Sequence, residues 1–313
     1  MGSSLPQQSN RLWFQYIVQL RGSVLARILP RVLFSACFAL GVTLVHRFLR
    51  PIDLDALSSL VPSVVLGLLL VFRTNTAYER FWEGRRIWGN IINASRNFIR
   101  QLWVVVNERQ PSDRAHKREA IALIVAFAYC VKHWLRQESP QAAQLQGLVS
   151  AEQLNQLRQS KHPPLELAFW INDYLQRQYR RHRLNLYQLT ELVQFLNQLV
   201  DYLGACERIL STPIPLAYSI HLKQLILLYC LALPFQLVSD LGWMTAPIVG
   251  IISFALMGIE AIGIEIENPF GTDPNDLPLD RLCEILRQNA SELMQLEPGS
   301  SIVLLEAEKL PDS

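Results

Sequence analysis

The side chains best suited to metal binding or nucleophilic chemistry are scattered along this sequence. His133, His162, His182 and His221 stand far apart, with no pair at helical metal-ligand spacing and no nucleophile motif. Cys37, Cys130, Cys206, Cys230 and Cys283 occur singly, without a C-x-x-C pair. Neither a zinc site nor a disulfide framework is expected, and the thiols read as buried small hydrophobes. An enzyme would have to assemble its groups from distant segments. Val64, Leu68 and Phe72 carry a different kind of chemistry, because residues four apart stack on one helical face. Such a stripe faces lipid or a neighbouring helix. Every residue from Ala56 to Phe72 is apolar or small, so spacing alone does not make the stripe a pore lining. Arg73 and Arg80 follow, with Asn75 and Glu79 among them. Two arginines here could concentrate anions. They could also pair with Glu260, Glu265 and Glu267, and pairing is the favoured reading because carboxylates at a membrane edge usually have partners. Asn268, Asp273, Asn275 and Asp276 form a turn rich in oxygen donors, the kind hard cations take.

These residues need elements to hold them, and the composition says which kind. Half of the 313 residues are apolar, yet 18% are charged, and the mean hydropathy is +0.16. Apolar spans joined to a polar helical body account for that mixture. A net charge of +2 is too small to point to nucleic acid. Met1–Asn10 is polar and lacks an apolar core, so no cleavable signal peptide is expected.

Four uncharged stretches stand out: Val32 to Val45, Ala56 to Phe72, Gln224 to Ser239 and Leu241 to Ile259. They form two close pairs. The first stretch is short against the roughly 20 residues of a perpendicular span, so Arg31 and Arg47 must snorkel. Arg11, Arg21, Arg27 and Arg31 precede the first pair, and Arg73, Arg80, Arg85 and Arg86 follow it. The positive-inside rule therefore places both termini and the middle region in the cytoplasm. The second pair is joined by a tight turn at Asp240 and Gly242.

No proline occurs between Ser63 and Gln110, so one helix of about 70 Å can run out of the membrane. Further helices are predicted over Ala115–Gln137, Pro164–Arg183, Leu186–Ile209 and Leu279–Gln295, with a short helix and loops in Gln141–Ser160. Gly41, Ser63 and Gly67 would let helices approach closely, within one chain or between copies. Ile214 lies between Pro213 and Pro215, which holds it outside a helix, as a linker or as a constriction. The fold class is an all-α integral membrane protein with two transmembrane hairpins and a cytoplasmic helical domain. The expected divisions are 1–30, a hairpin over 31–80, a helical domain over 81–212, a hairpin over 213–267 and a segment over 268–313.

The run Val71–Asn90, VFRTNTAYERFWEGRRIWGN, resembles the bestrophin family in its bacterial and plant branch. Three further blocks agree with it in family order and spacing: RGS at Arg21–Ser23, STPIPLAY at Ser211–Tyr218 and EAIGIEIENPFGTDPNDLP at Glu260–Pro278. The resemblance covers nearly the whole chain. It implies a homopentameric ion channel in a lipid bilayer, with Val64, Leu68 and Phe72 lining a hydrophobic neck and Ile214 forming a cytoplasmic aperture. It also implies passage of small anions, chloride and bicarbonate among them, although some bacterial members favour cations. An excess of about six positive side chains in the middle region leans toward anions. The turn at Asn268, Asp273 and Asp276 matches the calcium clasp of animal members in position. It has fewer carboxylates, with Pro274 and Asn275 in acidic positions, so weak or no calcium binding is expected. The expected location is a bacterial inner membrane or a thylakoid. A pore-less membrane scaffold and a membrane enzyme are the remaining alternatives.

Overall fold

In the first apolar stretch nearly every face of the helix is hydrophobic, and its few hydroxyls are satisfied locally. Helix α1, Leu25–Phe48, buries Ser35 and Thr43, whose hydroxyls donate to the carbonyls of Arg31 at 3.2 Å and Ala39 at 2.8 Å. Bonding back one turn is how a polar side chain is tolerated in an apolar helix. The computed structural model describes residues 22–49 and 60–298. The predicted segment from Ala56 to Ser59 and the extreme termini, with Arg11 and Arg21, lie outside these residues.

Helix α2, Leu60–Val105, runs for 46 residues without a break, about 69 Å at the usual rise. It is followed by α3 (Pro111–Leu135), α4 (Ala142–Leu145), α5 (Ala151–Gln159), α6 (Pro163–Arg180) and α7 (Leu186–Ser211). Then come α8 (Leu216–Leu241), a single 3-10 turn at Gly242–Met244, α9 (Thr245–Glu265) and α10 (Leu279–Leu293). Gly242, at φ +51° and ψ −121°, takes a positive-φ conformation open chiefly to glycine where α8 ends. Among the described residues the β-structure is a single bridge between Gln146 and Val149. Leu25–Phe48 and Leu216–Glu265 are long and apolar enough to cross a membrane.

The chain divides into two units. One combines the residues up to Trp82 with Thr212–Asp276, and the other combines Glu83–Ser211 with the residues from Leu277. In the first unit α1 packs on α8 and α9. Its core brings Leu66 and Leu70 of α2 against Ile28, Val32, Leu222, Ile226, Met257 and Ala261. The glycines that allow close approach are Gly250, whose added Cβ would lie 3.6 Å from Ala36, and Gly258, 3.7 Å from Ile28. The sequence pointed instead to Gly41 and Gly67, which have no described atom within 4 Å of such a Cβ. Those two do not mediate packing among the described residues of this chain.

In the second unit α3 is the central helix, with Ile121, Ile124, Phe127 and Val131 fully buried. Asp113 accepts from the backbone of Arg109 and Gln110 at its start and pairs with Arg183 at 2.9 Å. Helix α10 presents Leu279, Cys283, Leu286 and Ala290 to the core at helical spacing. Two lysines are buried here with partners: Lys117 with Glu108 at 2.7 Å, and Lys132 with Asp280 at 2.6 Å. Four cysteines are buried as expected, but Cys37 is exposed on α1. Burial pushes the thiols of Cys130, Cys206 and Cys283 up to about 12, which keeps them protonated and unreactive.

Candidate functional site

The site begins with the two faces of α2. Leu66, Leu70, Arg73 and Ala77 turn inward, each no more than 4% exposed. Val64, Leu68 and Phe72, on the other side, are 55%, 53% and 62% exposed. The three residues of the apolar stripe are thus brought onto one face, and nothing among the described residues covers it. One turn further on, Asn75, Thr76 and Glu79 are exposed, and Tyr78 and Trp82 stack edge to face at 6.0 Å.

Arg73 lies on the inward face. Its guanidinium donates to Glu267 Oε2 at 2.9 Å and to Ser219 Oγ at 2.9 Å. Its stem lies against Gly263, where an added Cβ would sit 3.7 Å from Arg73 Cγ. Of the three carboxylates considered as partners, Glu267 is the one taken. Glu265 instead accepts from Asn275 at 2.6 Å, and Glu260 faces a separate cavity. Arg80 donates to the backbone carbonyls of Glu267, at 3.3 Å, and Thr212. Both arginines therefore act as ties to the segments flanking α8 and α9.

Ile214 sits outside any helix between α7 and α8, half-buried. Its backbone N–H donates to Glu267 Oε1 at 3.0 Å. Glu267 thus holds Arg73 with one oxygen and Ile214 with the other. Ser219 and Tyr218, whose hydroxyl donates to the Leu69 carbonyl at 2.7 Å, were not anticipated as members of this cluster. Both lie in or next to the STPIPLAY block, which was the available signal.

Asn268, Asp273 and Asp276 come together in one turn, where the Asn268 and Asp276 side chains bond its backbone. Asn268 accepts from the Phe270 amide at 3.3 Å, and Asp276 accepts from the Asp273 amide at 2.7 Å. Asn275 donates to the Gly22 carbonyl at 3.1 Å. Among the described residues no three His, Cys, Asp or Glu gather in a metal-binding arrangement. Asp276 Oδ2 is thus engaged by the turn, and Asn275 is tied to Gly22 and Glu265.

The sequence matches the Bacterial/Fungal Bestrophin protein family over residues 5–292. It is 56% identical to a voltage-dependent anion channel-forming protein of Nostoc sp., over 92% of this chain and 93% of that one. It is 50% identical to a protein of the same description from Synechocystis sp., over 95% and 96%. The fold superimposes on the crystal structure of a bacterial bestrophin homologue from Klebsiella pneumoniae with a TM-score of 0.78 at 28% identity, covering 87% of this chain and 100% of that one. In motif order, in fold and along nearly its whole length, this chain belongs to the bacterial and fungal bestrophin family.

Proposed function

We propose that the chain forms an anion channel as a homopentamer, each subunit crossing the bilayer four times through α1, the first part of α2, α8 and α9. The amino terminus, residues 81–212 and residues 268–313 lie in the cytoplasm of a bacterial cell or on the equivalent side of a thylakoid. Five copies of Val64, Leu68 and Phe72 line the neck, and Ile214 lines the aperture. Chloride passes, and bicarbonate is of similar size and charge. The carrying observation is the α2 stripe, three apolar side chains left uncovered while the opposite face of the helix is packed. The space beside Gly67 supports a neighbouring helix there. The description of the relatives as anion channel-forming supports the selectivity.

The test is planar-bilayer conduction of the purified protein under a chloride gradient, comparing wild type with Leu68→Ala plus Phe72→Ala. A reversal potential near the chloride value, with larger current in the variant, is the expected result, because smaller side chains widen and wet the constriction. No current from well-folded protein of either form would overturn the proposal.

One observation favours a cation-selective reading. Arg73 is buried and ion-paired, while Glu79 is exposed two turns beyond Phe72. Arg73 therefore supplies no free cationic ring at the neck edge. The same recording discriminates, because a cation pore reverses near the cation value.

A further inference from the structure

Helices α1, α8 and α9 enclose a cavity of about 440 Å³ whose lining includes Arg31, Phe34, Lys223, Leu227, Met257 and Glu260. Its chemistry is divided. Glu260 is only 4% exposed, and its carboxylate has neither a hydrogen-bond donor nor an ion pair among the described residues. Arg31 and Lys223 are exposed at the rim. Phe34 and Leu227, 58% and 46% exposed, continue the cavity as an apolar wall. A buried carboxylate left to face a cavity calls for a donor, and the two rim cations give the site a net charge of +1.

We propose that this cavity binds the headgroup of a lipid carrying one negative charge together with free hydroxyls, the chemistry of phosphatidylglycerol. The phosphate sits between Arg31 and Lys223. The glycerol hydroxyls donate to Glu260, and an acyl chain runs along Phe34 and Leu227. A headgroup of charge −1 neutralises the site. A zwitterionic headgroup leaves the net charge unmatched, and phosphatidate offers no alcohol to Glu260. This inference rests on the reading that α1, α8 and α9 cross the membrane, which places Arg31, Lys223 and Glu260 at headgroup depth.

Two experiments on the full-length protein separate that reading from the site. Co-flotation with vesicles of phosphatidylcholine alone tests membrane insertion, and failure there removes the reading itself. Mass spectrometry of lipids retained after reconstitution into equal parts phosphatidylglycerol, phosphatidylethanolamine, phosphatidylcholine and phosphatidate tests the site. Wild type is expected to retain phosphatidylglycerol on the order of tenfold over the two zwitterionic lipids, the scale set by two interfacial cations. Arg31→Gln plus Lys223→Gln, at exposed positions where folding is preserved, is expected to lose that enrichment. Glu260→Gln is expected to keep anionic lipid but lose the preference for phosphatidylglycerol over phosphatidate. The site is overturned if inserted wild type retains the lipids in their bulk ratio. It is equally overturned if the double variant retains phosphatidylglycerol as wild type does, or changes oligomeric state with lipid retention unaltered.

Discussion

Arg73 and Glu267, 194 positions apart in sequence, meet at 2.9 Å with side chains 4% and 16% exposed. The other Glu267 oxygen takes the Ile214 amide. Arg73 directly follows Phe72, so a single carboxylate ties the helix that carries the apolar stripe to the turn that carries Ile214. The two apolar features are fixed to one another within a single unit of the chain.

Breaking that pair should destabilise the protein strongly, because each partner would leave the other charged and nearly dry. Arg73→Gln and Glu267→Gln are each expected to cost about 3 kcal/mol, the scale for removing one partner of a buried ion pair. The double variant should lose at least ~1 kcal/mol less than the sum of the singles, since the two share one interaction. Unfolding in detergent across the four proteins of the cycle checks this. Additive losses would show that the contact contributes no coupling energy.

The turn after α9 yields a different expectation. Because Asp276 accepts from the Asp273 amide and Asn275 is tied to Gly22 and Glu265, a calcium chelator should leave conduction and melting temperature unchanged. Gly271→Ala, by contrast, should destabilise by about 1 kcal/mol, because the new Cβ would sit 2.5 Å from Asp276 Oδ2 and disturb its bond to the Asp273 amide. A melting temperature that rises with added calcium would sink the first expectation.

Much of this was legible in the sequence, for identifiable reasons. Uninterrupted apolarity marked the middles of α8 and α9, although α8 begins at Leu216, before Gln224, and α9 runs on to Glu265. The proline-free run from Ser63 to Gln110 gave most of the 46-residue α2. Hydrophobic period placed α3, α6, α7 and α10 within about four residues of their ends. Pro213 and Pro215 put Ile214 outside a helix. Partner choice was not legible, because charge alone nominates Glu260, Glu265 and Glu267 equally. The selection of Glu267 depends on where α9 ends and on Gly263 giving room for the arginine stem. Likewise Gly41 and Gly67 carry the same small-residue signal as Gly250 and Gly258, and only packing tells them apart.

The second unit should respond to pH in two separate windows. Burial, reinforced by the adjacent Lys132 ammonium, holds His133 below the ordinary histidine value of 6.5, with Glu138 working the other way. The folded form therefore keeps His133 neutral while the unfolded chain protonates, so stability falls as pH drops below about 6.5. At Asp280 burial raises the pKa, but the bonds from Lys132 and Arg136 outweigh it and bring it from 3.8 to about 2. Its contribution is present above the ordinary value and is lost as pH falls through about 2. That loss should be the smaller, because the Asp280 side chain is 57% exposed and solvent screens its pairs. Melting followed by circular dichroism should show His133→Gln flattening the decline between about pH 7.5 and 5 while leaving the acid loss in place. Asp280→Asn should do the reverse, removing the acid-dependent part and lowering stability at neutral pH by exposing Lys132 to an uncharged partner. If His133→Gln and wild type decline in parallel through the first window, His133 is not the group that titrates there.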